Sequence, residues 1–195
     1  TVAVGPGQTV VFDMDDTKGN YIQLTGHADI NIFDLVTVSG DFGLEKGTNL
    51  SIVLSDDTTV TANLLTLGMA NVDAFVGYGG IGIQLTGVNL AIALWSEVGG
   101  AARKWTSVKA SIDSATFIGV TGLGLTVNTV GIEVNKEATD HTLVDYAVTP
   151  NTSETQATSL TVAVGPGQTV VFDMDDTNGD YVQLTGNVDI NIFNL

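Results

Sequence analysis

The sequence predicts an all-β protein: an elongated module of many short strands, solenoid-like or built on a bent sheet, and repeated in tandem. A large β-sandwich is the alternative. Three observations lead there. Residues 1–35 (TVAVGPGQTVVFDMDDTKGNYIQLTGHADINIFDL) return at 161–195 with changes at six positions only: Lys18/Asn178, Asn20/Asp180, Ile22/Val182, His27/Asn187, Ala28/Val188 and Asp34/Asn194. Short runs rich in Val, Ile, Leu, Thr and Phe recur between Gly and Asp turn signals at roughly 8–12-residue spacing, the pattern of many-stranded β architectures. Within several runs the apolar alternation changes parity, as from Leu123, Leu125 and Val127 to Val130, Ile132 and Val134. A one-residue slip exchanges the faces of a strand, so the backbone must bulge or turn a corner there.

The elements follow in order. Gly5-Pro6-Gly7 is a turn at the entry to the unit, and Gly165-Pro166-Gly167 is its copy. Strands are expected at Thr9–Met14, Tyr21–Thr25, Asp29–Phe33, Val36–Val38, Leu50–Leu54, Thr58–Leu67, Ile81–Leu85 and Leu90–Trp95. Further strands are expected at Trp105–Ile112, Thr116–Val120, Leu123–Val127, Val130–Val134 and Thr142–Val148. Ser96–Lys104 contains Gly99-Gly100 and reads as a hairpin loop. Pro150–Leu160 (PNTSETQATSL) is polar and lacks apolar periodicity, so it reads as a linker. The resulting organisation is a complete module over 1–149, a linker over 150–160 and the opening of the next repeat over 161–195. Thr1 is not an initiator Met and no signal peptide is visible, which suggests a processed chain or a fragment of a longer array. The second copy's opening residues would then complete or cap the module before them.

Composition narrows the function classes. Lys and Arg number 6 against 22 Asp and Glu, a net charge of −16. That balance disfavours nucleic acid and anionic membranes, which need clustered cations, and favours divalent cations and solubility. Hydrophobic residues make up 44% of the chain, too many for a disordered acidic tail. The apolar runs are short and interrupted, leaving no transmembrane candidate. Without cysteine there are no disulfides, thiolate nucleophiles or Cys-ligated metals.

The acidic turn Asp13, Asp15, Asp16 and Asn20 recurs as Asp173, Asp175, Asp176 and Asp180. Closely spaced carboxylates and carbonyls can supply the six to eight oxygens that Ca²⁺ takes, so these eight residues are the candidate metal ligands. The spacing is not that of an EF-hand loop, and the same residues also make plain hairpin turns. Gly77–Gly82 fits G-x-G-x-x-G, but a strand follows it where a dinucleotide site needs a helix. His27 becomes Asn187 in the second copy, and His141 lies beside Asp140 with no nucleophile elbow in the chain. No catalytic residue is assigned and the chain is not expected to be an enzyme. Arg103, Lys104 and Lys109 lie near Trp95 and Trp105. This mixture would suit a glycan surface, or else a tryptophan pair packed across a hairpin whose cations meet acidic residues of a neighbouring unit.

The 160-residue near-copy, the DMDDTxG turn and the run LTGVNLAIALW…KWTSVKASIDSATFIGV…LTVNTVGIEVN resemble the tandem β-repeat regions of giant bacterial surface proteins, adhesin-like or filament-forming. The resemblance implies a repeat unit of an extracellular or cell-surface fibre, stalk, sheath or filament in a bacterium. Its partners would be adjacent copies of the repeat, with glycans or a host surface as further candidates. The alternatives are a glycan- or partner-binding adhesin module and a β-helical polysaccharide-processing enzyme. Members of such arrays stiffened by calcium carry nonapeptide arrays, which this chain lacks.

Overall fold

A computed structural model describes residues 2–11, 21–100, 102–147, 160–174 and 177–192. The described residues are all-β and antiparallel. Strands β1 (Val2–Gly5) and β2 (Gln8–Val10) form a hairpin. Then come β3 (Tyr21–Ile32), β4 (Val36–Val53), β5 (Thr59–Tyr78), β6 (Ile81–Glu97), β7 (Lys104–Ile118) and β8 (Leu123–Lys136). The second copy contributes a hairpin, β9 (Leu160–Gly165) with β10 (Gln168–Phe172), and a final strand, β11 (Tyr181–Ile192). Seven strands make one sheet in the order β11-β8-β7-β6-β5-β4-β3. It is a meander of successive hairpins closed at its far edge by β11, neither a solenoid nor a Greek-key sandwich.

The strands are longer than the sequence suggests. Val36–Val38 and all of Leu50–Leu54 but Leu54 itself belong to one strand, β4, and Ile81–Leu85 joins Leu90–Trp95 as β6. Bulges absorb the parity changes without ending the strands. Asn71 in β5, Gly87 in β6 and Thr129 in β8 have positive φ (50°, 61° and 54°), and the register shifts beside each. Each bulge restores apolar residues to the face they would otherwise leave. Hence the row Leu24–Leu44–Leu67–Ile92–Val108–Val134–Val182 crosses all seven strands on one face. Beyond the bulges, Ile30–Val38–Ala74–Leu85–Ala115–Val127–Val188 and Ile32–Val36–Val76–Ile83–Phe117–Leu125–Ile190 continue that face.

Turn chemistry sets the hairpins. Gly79-Gly80 joins β5 to β6 with φ of +62° and +81°, the left-handed pair that a two-residue hairpin matched to strand twist requires. The loop between β6 and β7 falls within Ser96–Lys104, as its glycines predict. Thr142–Val148, expected as a strand, instead lies in a covering segment as far as the described residues extend. Only Val144 forms a bridge, to Leu54.

The core lies on the opposite face of the sheet from the apolar rows. There Ile52, Leu54, Ala62, Leu64, Ala91, Ala93, Trp95 and Trp105 are buried. Two pieces cover them: segment 137–147, through Ala138, Val144 and Tyr146, and the β9–β10 hairpin with Met174, through Val162, Val164, Phe172 and Met174. Much of the first unit's core is therefore supplied by the second copy.

Candidate functional site

The chemistry-bearing residues converge where the second copy meets the sheet. The floor is a track of small side chains. Gly43 and Gly68 are cross-strand partners, and Ala91 follows on β6. A Cβ on Gly43 would lie 2.3 Å from the carbonyl oxygen of Ala163, and one on Gly68 would lie 2.4 Å from that oxygen and 2.5 Å from the Val164 Cα. The β9 backbone thus rests directly on the sheet, and any side chain at these two glycines would push it off.

Around the track a polar network holds the cover in place. Trp95 and Trp105 are cross-strand partners. Trp95 Nε1 donates to the Tyr146 hydroxyl at 2.9 Å, which donates to Ser107 Oγ at 2.8 Å. Ser107 Oγ donates to Asn135 Oδ1 at 3.0 Å, and Asn135 Nδ2 donates to the Val144 carbonyl at 3.1 Å. Trp105 Nε1 donates to the Thr142 carbonyl at 3.0 Å. Among the described residues no buried side-chain nitrogen or oxygen lacks a partner. Satisfied buried networks of this kind fix one arrangement, because any slip strands a donor. Burial pushes the Tyr146 hydroxyl pKa up to about 12, against the lowering effect of its hydrogen bonds with Ser107 and Trp95. The Tyr146 and Phe172 rings meet at 5.4 Å between centroids, tying segment 137–147 to the hairpin.

Ion pairs ring the joint. Lys109 on β7 binds Asp173 of the second copy and, at 3.3 Å, Glu133 on β8. Burial lowers the Lys109 pKa, but Asp173 and Glu133 together outweigh it and leave the ammonium raised. Lys136 binds Asp180 at 2.8 Å. Arg103 bridges Glu97 and Asp140, each at 2.9 Å, with its guanidinium 5.4 Å from the Trp105 ring centroid.

The candidate metal ligands divide accordingly. Asp13, Asp15, Asp16, Asn20, Asp175 and Asp176 lie outside the described residues. Asp173 and Asp180 are described, and both meet lysines of the first unit. Among the described residues no group of three or more His, Asp or Glu side chains is placed to hold a metal. The aromatic–basic cluster does not present a gripping surface: Trp95 and Trp105 are 5% and 1% exposed. His141 pairs with Glu137 at 2.7 Å, while Asp140 accepts from Arg103 and Thr142. His27 Nδ1 lies 2.9 Å from Asp41, whose carboxylate, with that of Asp29, holds the imidazole pKa above its usual value against an opposing desolvation. Among the described residues no helix is long and apolar enough to cross a membrane.

No motif or spacing links Gly43, Gly68, Asn135 and Tyr146 as members of one site. The Lys109–Asp173 and Lys136–Asp180 pairs span 64 and 44 residues. The one readable signal was the repeat itself, since a hairpin with a second copy needs a place to dock in each. Comparison of the chain with protein families, with characterised proteins and with solved structures finds no match.

Proposed function

We propose that this chain is a structural repeat unit of a long extracellular fibre, stalk or sheath on a bacterial surface, in which each unit is finished by the one that follows. One observation carries the reading. Val162 of the second hairpin is fully buried at 0% exposure, while its counterpart Val2 in the first hairpin is 48% exposed. The same sequence is thus core in one copy and bare surface in the other. A unit that needs its successor's hairpin, and offers its own hairpin to a predecessor, suits an array. The −16 charge keeps neighbouring fibres soluble and apart. The buried tryptophans leave the glycan-gripping alternative without its aromatic platform.

The test is electron microscopy of the native protein on and off the cell. Uniform rods or ribbons with a regular axial repeat support the scaffold reading. Compact, unextended particles would refute it.

A further inference from the structure

The two copies of the strand Tyr-x-Gln-Leu-Thr-Gly-x-x-Asp-Ile-Asn-Ile occupy opposite edges of one sheet. β3 pairs with β4, and β11 pairs with β8. Six antiparallel steps separate them, so they run in the same direction. Their even-numbered side chains face the same way. Val182 lies in the row that ends at Leu24, two residues from its counterpart Ile22, and residues two apart share a face. With direction and face identical, β3 and β11 must use opposite edges of the same strand to reach their partners. Among the described residues, no strand pairs with the edge of β3 that corresponds to the one by which β11 binds β8, nor with the edge of β11 that corresponds to the one by which β3 binds β4.

Nothing in the strand opposes pairing on both edges. The bulge at the β11–β8 junction falls in β8, where Gly131 to Asn128 spans three steps against two from Thr185 to Asn187. The β3–β4 ladder has no register shift at all. Both copies are therefore regular strands. The free edge of β3 is also long and carries exposed Ile22 and Leu24, at 67% and 54%, features that protected edges avoid.

We infer that successive repeats form one continuous antiparallel sheet, in which this strand is shared, paired by one edge with β8 of the unit before and by the other with β4 of its own unit. The occupant of the free β3 edge is the β8 of an adjacent copy of this repeat, in the register Tyr181↔Asn135 to Ile192↔Leu123 seen for β11. The β1–β2 hairpin would lie on the Gly43–Gly68 track of that same preceding unit. The joint deepens the scaffold reading and rests on it. Each period then adds six strands, β3 to β8, stacked along the array. At about 4.8 Å per strand, the rise is about 29 Å per 160-residue period, with strands perpendicular to the long axis. A bead-like array of separate modules would advance by the full width of a module instead.

The experiment uses the full chain and the same chain lengthened by one period, residues 1–160 placed ahead of 1–195. Two cysteine pairs are introduced into the cysteine-free background of the lengthened chain: V134C of the first unit with I22C of the second, the counterpart of Val182, across β8 and the shared strand, and L24C with L44C, both of the second unit, across that strand and the next β4. Peptide mapping scores disulfides, and small-angle scattering of the unsubstituted chains scores length. The expected result is both disulfides in one molecule and a gain of about 29 Å in length per added period. An extended particle that gains clearly more than this, with only the L24C–L44C bridge formed, overturns the shared strand and leaves the scaffold reading standing. An added period that brings no gain in length overturns both.

Discussion

Val162→Ala and Val2→Ala make the most informative pair of substitutions, because the two residues sit in identical local sequence. Val162 is at 0% exposure, in the same buried cluster as Tyr146, Val164 and Phe172. Truncation to Ala removes two methyl groups from the core, worth about 0.8 kcal/mol each in transfer, plus a cavity term, for about 2 kcal/mol in all. In a chain of this size that lowers Tm by roughly 4–8 °C. Val2 is 48% exposed, so Val2→Ala should stay within about 0.5 kcal/mol. The assay is urea unfolding followed by tryptophan fluorescence, since both tryptophans belong to the core cluster that includes Val162, with unchanged m-values as the check on two-state behaviour. Equal losses in the two variants, or a Val162→Ala protein as stable as the parent, would refute the claim that the second copy's hairpin is part of the first unit's core. In the chain lengthened by one period, the Val2→Ala change made in the second unit should acquire the full penalty.

Four further outcomes are expected. Gly68→Ala places a methyl against the backbone of Ala163 and Val164, so the β9–β10 amides should lose hydrogen-exchange protection while the β5–β6 hairpin tip keeps its own. Tyr146→Phe leaves the Trp95 indole N–H without its acceptor and should cost about 1–3 kcal/mol in urea unfolding. Because the folded Tyr146 pKa, about 12, lies above its ordinary value of 10.0, its contribution is complete below pH 10 and is lost as pH rises from about 10 to about 12. Ultraviolet titration should therefore show one late tyrosinate step, at alkaline unfolding, which Tyr146→Phe removes. Finally, Leu67→Lys on the face away from the hairpin, where Leu67 is 39% exposed, should reduce binding of a hydrophobic dye with little change in Tm. A loss as large as that of Val162→Ala would mean this face is core after all.

The all-β class, the Gly99-Gly100 loop and the repeat were legible because glycine and periodicity are local signals. Strand continuity was not. Asn71 and Thr129 adopt positive φ without being glycine, so a parity change read from the sequence looks like a strand end when it is a bulge inside a longer strand. The covering segment was hidden for another reason. Val144 and Tyr146 follow a strand-like pattern, yet backbone hydrogen bonds from Ser55 to Leu143, Asp145 to Val53 and Tyr146 to Met174 tie the segment across the sheet end rather than into the ladder. The tryptophan pair was legible as cross-strand glue, whereas its lid was not, because Tyr146 Oη reaches Ser107 over 39 residues and Trp95 over 51. The lysine partners of Asp173 and Asp180 were not legible either, because Lys109 and Lys136 lie far from them in sequence and only the fold brings them near.

A joint made from the opening strand of each repeat also bears on how such a gene changes. Unequal recombination between near-identical stretches inserts or deletes whole periods. If every period begins with the strand that both neighbours pair with, the edges left after such an exchange are the edges that were there before. Fibre length could then drift by whole units from one lineage to the next with no new contact surface to be invented, while a change within residues 1–32 of any period would be felt by two units at once.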